Sequence, residues 1–135
     1  MGVCIFVARG MNFDVDDYLR ESPFEAVSVF RKGQVPSKNN PHDQYRPDSG
    51  FMVAFGDDQE PGLSDQVEEA LTFLAEHESE LERLKEVGVD RMLLHFGVEL
   101  RDELRRSEYL PPELIMALGR FGMGLRFSTV HLPRG

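Results

Sequence analysis

The chain carries a single cysteine, Cys4, so it forms no intramolecular disulfide. Its setting in the apolar run VCIFVA suits a small buried hydrophobe, not a reactive thiol. No apolar stretch approaches the length of a membrane span, and VCIFVA is too short for a signal-peptide core and lacks a basic leader. Gly2 does not open a myristoylation motif, because Phe6 stands where Ser or Thr is required. A cytoplasmic protein is the expectation. Low-complexity tracts and internal repeats are also missing, which excludes a solenoid and a disordered chain.

The signatures of familiar chemistry are equally scarce. His42, His77, His95 and His131 occur singly, without HExxH spacing or paired cysteines, so no metal or other cofactor is expected. His77 sits at the edge of an apolar helical stripe, and His95 on the polar side of a strand. No GxSxG places a nucleophile in a strained turn. GRFGMG contains GxxGxG but follows a helix, whereas a dinucleotide fingerprint follows a strand; it reads as a helix stop. The paired Asp57 and Asp58 of FGDD read as a strand exit. No catalytic residue is assigned, and the sequence points away from an enzyme.

Positive charge is in deficit: 15 Lys and Arg face 24 Asp and Glu, a net charge of −9 over 135 residues. The imbalance is local, since the eleven acids of Asp57 to Gly88 meet only Arg83 and Lys85. Such a field repels phosphate backbones and attracts a basic partner. The predicted partner contacts are Glu69, Glu76, Glu80 and Glu82, and neither nucleic acid nor membrane is expected.

What the sequence does contain is one α+β domain spanning residues 1–135. LSDQVEEALTFLAEHESELERLKEVG, Leu63 to Gly88, is the longest amphipathic segment: Val67, Ala70, Leu71, Leu74, Leu81 and Leu84 recur at helical spacing, opposite the glutamates. Strands are predicted at Val3 to Ala8, Glu25 to Lys32, Phe51 to Phe55, Val89 to Leu100 and Leu125 to Leu132. A short helix capped by Asp14 lies in Asn12 to Glu21, and a later helix opens at Pro111 and Pro112 and buries Leu114, Ile115, Leu118 and Phe121. The order βαββαβαβ implies a largely antiparallel sheet of about five strands, ferredoxin-like at its core, with helices on one face. Cys4, Phe6, Met52, Ala54 and Leu93 are assigned to the other face, whose apolar character would suit a homodimer.

Gln34 to Ser49, with three prolines, reads as a long loop. It and its flank supply a second candidate surface, Arg31, Lys32, His42, Tyr45 and Arg46, suited to a small anionic ligand.

FDVDDYLRES, FRKGQ, SGFMVAFGD, QVEEALTFLAEHESELERL and LPPELIMALGRFGMGLRFSTV together resemble a bacterial family, the domain of unknown function 4279 family. The resemblance covers most of the chain and rests on packing and turn signals; members often show Trp where this chain has Phe30. It implies a fold and names no catalytic residue. The leading expectation is a small interaction module, of immunity type, whose acidic helix engages a basic protein such as a nuclease toxin. The alternatives are a ligand binder or enzyme using the loop, and a homodimer through the open sheet face.

Overall fold

The computed structural model describes residues 4–34, 46–56, 63–101 and 109–132, with side chains described for all of these except 63–65, 98–101 and 129–132. The elements run β1 (Cys4–Gly10), α1 (Val15–Arg20), β2 (Ser28–Phe30), β3 (Ser49–Phe55), α2 (Leu63–Glu76), α3 (Glu78–Glu86), β4 (Arg91–Arg101), α4 (Pro112–Phe121) and β5 (Met123–Leu132). The strands form one open sheet in the order β2-β3-β1-β4-β5. Three pairings are antiparallel, and β4 with β5 is parallel, α4 lying between them in the chain. The α+β class, the five strands and the helical layer thus stand as the sequence implies. Two details differ: the helix expected as one is broken in two, and the expected fifth strand joins β4 in parallel.

Strand alternation divides the side chains. Cys4, Phe6 and Ala8 of β1 share a face with Phe51 and Val53 of β3 and Met92, Leu94 and Phe96 of β4, as their registers require. This face is buried under all four helices, through Val15 and Tyr18, Val67, Ala70, Phe73 and Leu74, Leu81 and Leu84, and Leu114, Leu118 and Phe121. Cys4 and Phe6 are therefore core residues and not part of the open face, a correction to the sequence reading. Their parity with Phe51 and Leu94 decides it. Met52, Ala54 and Leu93 do lie on the open side, beside Ile5, Arg9, Arg91, His95 and Arg126. That face is consequently more charged than the sequence suggested.

The long helix breaks at His77. Its backbone departs from helical geometry (φ −116°, ψ 19°), and α3 beyond it buries Leu81 and Leu84 in the core. Gly88 ends α3 with φ 110°, and an added Cβ would lie 2.7 Å from the Asn12 carbonyl oxygen. Asp14 caps α1 by accepting from the Asp17 amide at 3.1 Å, as expected. Gly122, left-handed at φ 66°, closes α4 and confirms GRFGMG as a helix stop; Ile115, expected in the core, is instead 51% exposed. β2 is shorter than expected: Ser28 to Phe30 pair with Met52 to Gly50, and Val27 is 66% exposed.

Candidate protein-binding groove

The short β2 leaves a gap, and the gap forms a groove of about 1040 Å³. It lies between Pro23 to Val27, the end of β3 from Val53 to Gly56, and the face of α2 that carries Glu68, Glu69, Thr72, Phe73, Glu76 and His77.

Its floor is aromatic. Phe73, three residues beyond Ala70 on the helical stripe, stacks on Phe55 with ring centres 4.3 Å apart and planes 11° from parallel. Phe24 stacks against Phe73 at 5.9 Å and meets the His77 ring at 5.0 Å. His77 is fixed by a 2.8 Å contact between Nδ1 and the Phe73 carbonyl oxygen. The rim is acidic: Glu25, Glu68 and Glu76 are exposed, and Glu69 is half-buried. Glu69 folds toward Gly56, where an added Cβ would stand 1.8 Å from its Oε2. Among the described residues, no Lys or Arg lines the groove. Aromatic faces attract cations, and the exposed carboxylates of Glu25, Glu68 and Glu76 add to that attraction.

Beneath the groove the buried Cys4 contacts the Gln66 carbonyl oxygen at 3.9 Å. Burial, and secondarily the Glu69 carboxylate, pushes its thiol up to about 12. Gln66, 1% exposed, donates through Nε2 to the Gly97 carbonyl at 3.0 Å and so ties α2 to β4.

The four acids named from sequence separate in the structure. Glu69 and Glu76 line the groove. Glu80 instead accepts a 2.6 Å bond from the Tyr18 hydroxyl and meets Arg83 at 3.4 Å. Burial and that bond raise the Tyr18 hydroxyl above its usual range. Glu82 is exposed on α3, outside the groove lining. Glu78, also on α3, pairs with Arg120 of α4. Sequence reasoning missed Glu25 and Glu68, together with the aromatic floor. The spacing of Phe73 from Ala70 and His77 was the available signal, but nothing in the sequence placed Phe24 and Phe55 beside it.

The loop residues are likewise distributed. Arg31 forms a two-bond pair with Asp16, at 2.7 and 2.8 Å, which holds that carboxyl below its usual range. Lys32 is exposed, with Nζ 3.5 Å from the Met11 carbonyl oxygen. The Arg46 guanidinium lies over the buried Phe30 ring at 5.0 Å, and Arg9 lies over the same ring at 5.1 Å. Arg9 also makes two 2.7 Å bonds to Asp48, which is 7% exposed. The base of the loop is closed by paired backbone bonds, Gly33 N to Arg46 O and Arg46 N to Gln34 O. His42 and Tyr45 lie outside the described residues, as do Asp57 and Asp58. On the open face, His95 Nε2 meets Ser128 Oγ of β5 at 2.6 Å.

Among the described residues, no three His, Cys, Asp or Glu side chains are placed to hold a metal ion, and no helix is long and apolar enough to cross a membrane. No family model, curated protein or solved structure matches the chain.

Proposed function

We propose that this protein is an interaction module whose groove between α2, the end of β3 and Pro23 to Val27 binds a cationic segment of a partner protein. The observation that carries this reading is a carboxylate rim over an aromatic floor, with no basic side chain among the described residues that line it. A Lys or Arg side chain suits both parts: its alkyl stem packs on Phe55 and Phe73 while its charged head meets Glu68 or Glu76. An immunity-type role, masking a basic nuclease, is one biological form of such binding. Relative to the sequence expectation, the contact surface keeps Glu69 and Glu76 of α2, adds Glu25 and Glu68, and loses Glu80, which is engaged with Tyr18, and Glu82, which lies outside the groove lining.

The test is affinity capture from native cell extract at low and high salt, with mass-spectrometric identification. Wild type is compared with the triple variant Glu25→Lys, Glu68→Lys and Glu76→Lys. Glu82→Lys, Glu86→Lys and Glu113→Lys together form a control with the same change in charge. A basic protein held by wild type and control, released by salt and lost by the groove variant, is the expected outcome. Retention by the groove variant contradicts the reading.

A further inference from the structure

β3 pairs with β1 along its whole length, from Ser49 opposite Gly10 to Phe55 opposite Cys4. On its other side β2 covers only Gly50 to Met52. The Val27 amide donates to the Met52 carbonyl at 2.8 Å, so the backbone groups of Met52 point toward β2. Backbone direction alternates along a strand, and the N–H and C=O of Ala54 therefore point the same way. No residue of β2 stands opposite them, Ala54 is exposed, and it lines the groove.

From this geometry we infer that the partner segment binds by strand addition: a short extended stretch extends the line of β2 beside Val53 to Phe55 and exchanges two backbone hydrogen bonds with Ala54. The inference rests on the cationic-segment reading above and adds its backbone conformation and sequence pattern. The residue opposite Ala54 turns its side chain to the open face, as Ala54 does. Its two neighbours, opposite Val53 and Phe55, turn theirs to the helical face and so into the groove among Phe24, Phe73, Glu68 and Glu76. Basic residues at alternate positions, Lys-x-Lys or Arg-x-Arg, fit this arrangement by charge. The outer edge of β5 is also unpaired among the described strands, but the acidic groove lies at β3.

The pattern makes an unusual demand on the ligand. The intervening residue directs its amide at β3, whereas the amides of the two lysines point away. Three fluorescent pentapeptides of sequence Lys-Val-Lys-Val-Lys test this by anisotropy titration: one unmodified, one N-methylated at both valines, one N-methylated at the lysines. Methylation at valine is expected to weaken binding to the wild type by about tenfold or more, and methylation at lysine to leave it within about threefold. Ala54→Pro, which removes the outward amide but no bond to β1, is expected to match the valine-methylated loss, and Glu68→Lys with Glu76→Lys to abolish binding of all three. If Ala54→Pro does not fold, the two methylated peptides and the charge variant still decide. Equal affinity for the three peptides, with loss on charge reversal, overturns strand addition and leaves the groove reading standing. Failure of wild type to bind the unmodified peptide at low salt overturns both.

Discussion

At the residue scale, the Arg9 and Asp48 pair shows how this fold places charge close to its core. Asp48 is almost fully enclosed and receives both guanidinium bonds, while Arg9 covers Phe30. The Arg9 guanidinium holds the Asp48 carboxyl below the usual carboxylate range, against the opposing effect of burial. A carboxyl depressed in the folded state contributes stability above its unfolded value of about 3.9 and loses it as pH falls through the lower folded value. Asp48→Asn should therefore cost about 2 kcal/mol at neutral pH, and the gap in Tm between variant and wild type should narrow as pH drops below about 4. A gap independent of pH would contradict that assignment. Cys4 offers a second check. Buried, and with its thiol raised to about 12, it should resist alkylation in the native protein at pH 8 and react on unfolding in denaturant. Tyr18→Phe should cost about 1 kcal/mol by removing the bond to Glu80, read from denaturant unfolding.

At the element scale, the break at His77 is the feature with the widest consequences. Beyond it α3 buries Leu81 and Leu84, and before it α2 presents Glu68, Phe73 and Glu76 to the groove. Leu84→Ala should cost about 3 kcal/mol, since the side chain is fully buried. Gly88→Ala should cost more than 1 kcal/mol because its backbone is left-handed and the new Cβ would press on the Asn12 carbonyl. Chemical denaturation reads both, and a neutral Gly88→Ala would mean the turn relaxes. The apolar stripe of this region is plain in the sequence, because Leu81 and Leu84 continue the spacing set by Val67, Ala70 and Leu74. The break is not, because His77 is neither Pro nor Gly. Strand parity was legible within β4, where Met92, Leu94 and Phe96 alternate with Arg91, Leu93 and His95. It was not legible across strands. VCIFVA is apolar on both sides, so only pairing with Phe51 and Leu94 decides which way Cys4 and Phe6 face. Similarly, the spacing of Glu69 and Glu76 marked an acidic face, while the aromatic floor depends on contacts between Phe24, Phe55 and Phe73, far apart in the chain.

For the whole molecule, the groove carries Glu25, Glu68, Glu69 and Glu76, while the open sheet face carries Arg91 and Arg126 beside the Arg9 and Asp48 pair. On the proposed reading a cationic segment is drawn to the groove, which favours a defined approach over diffuse adhesion. Its affinity should fall steeply with salt. The most direct measurement is amide chemical-shift mapping of the isotope-labelled protein during titration with the unmodified Lys-Val-Lys-Val-Lys peptide at low salt. The account predicts perturbations centred on Glu25 to Val27, Val53 to Gly56 and Glu68 to His77. Perturbations confined to α3 or to the open sheet face, or none at saturating peptide, would contradict it.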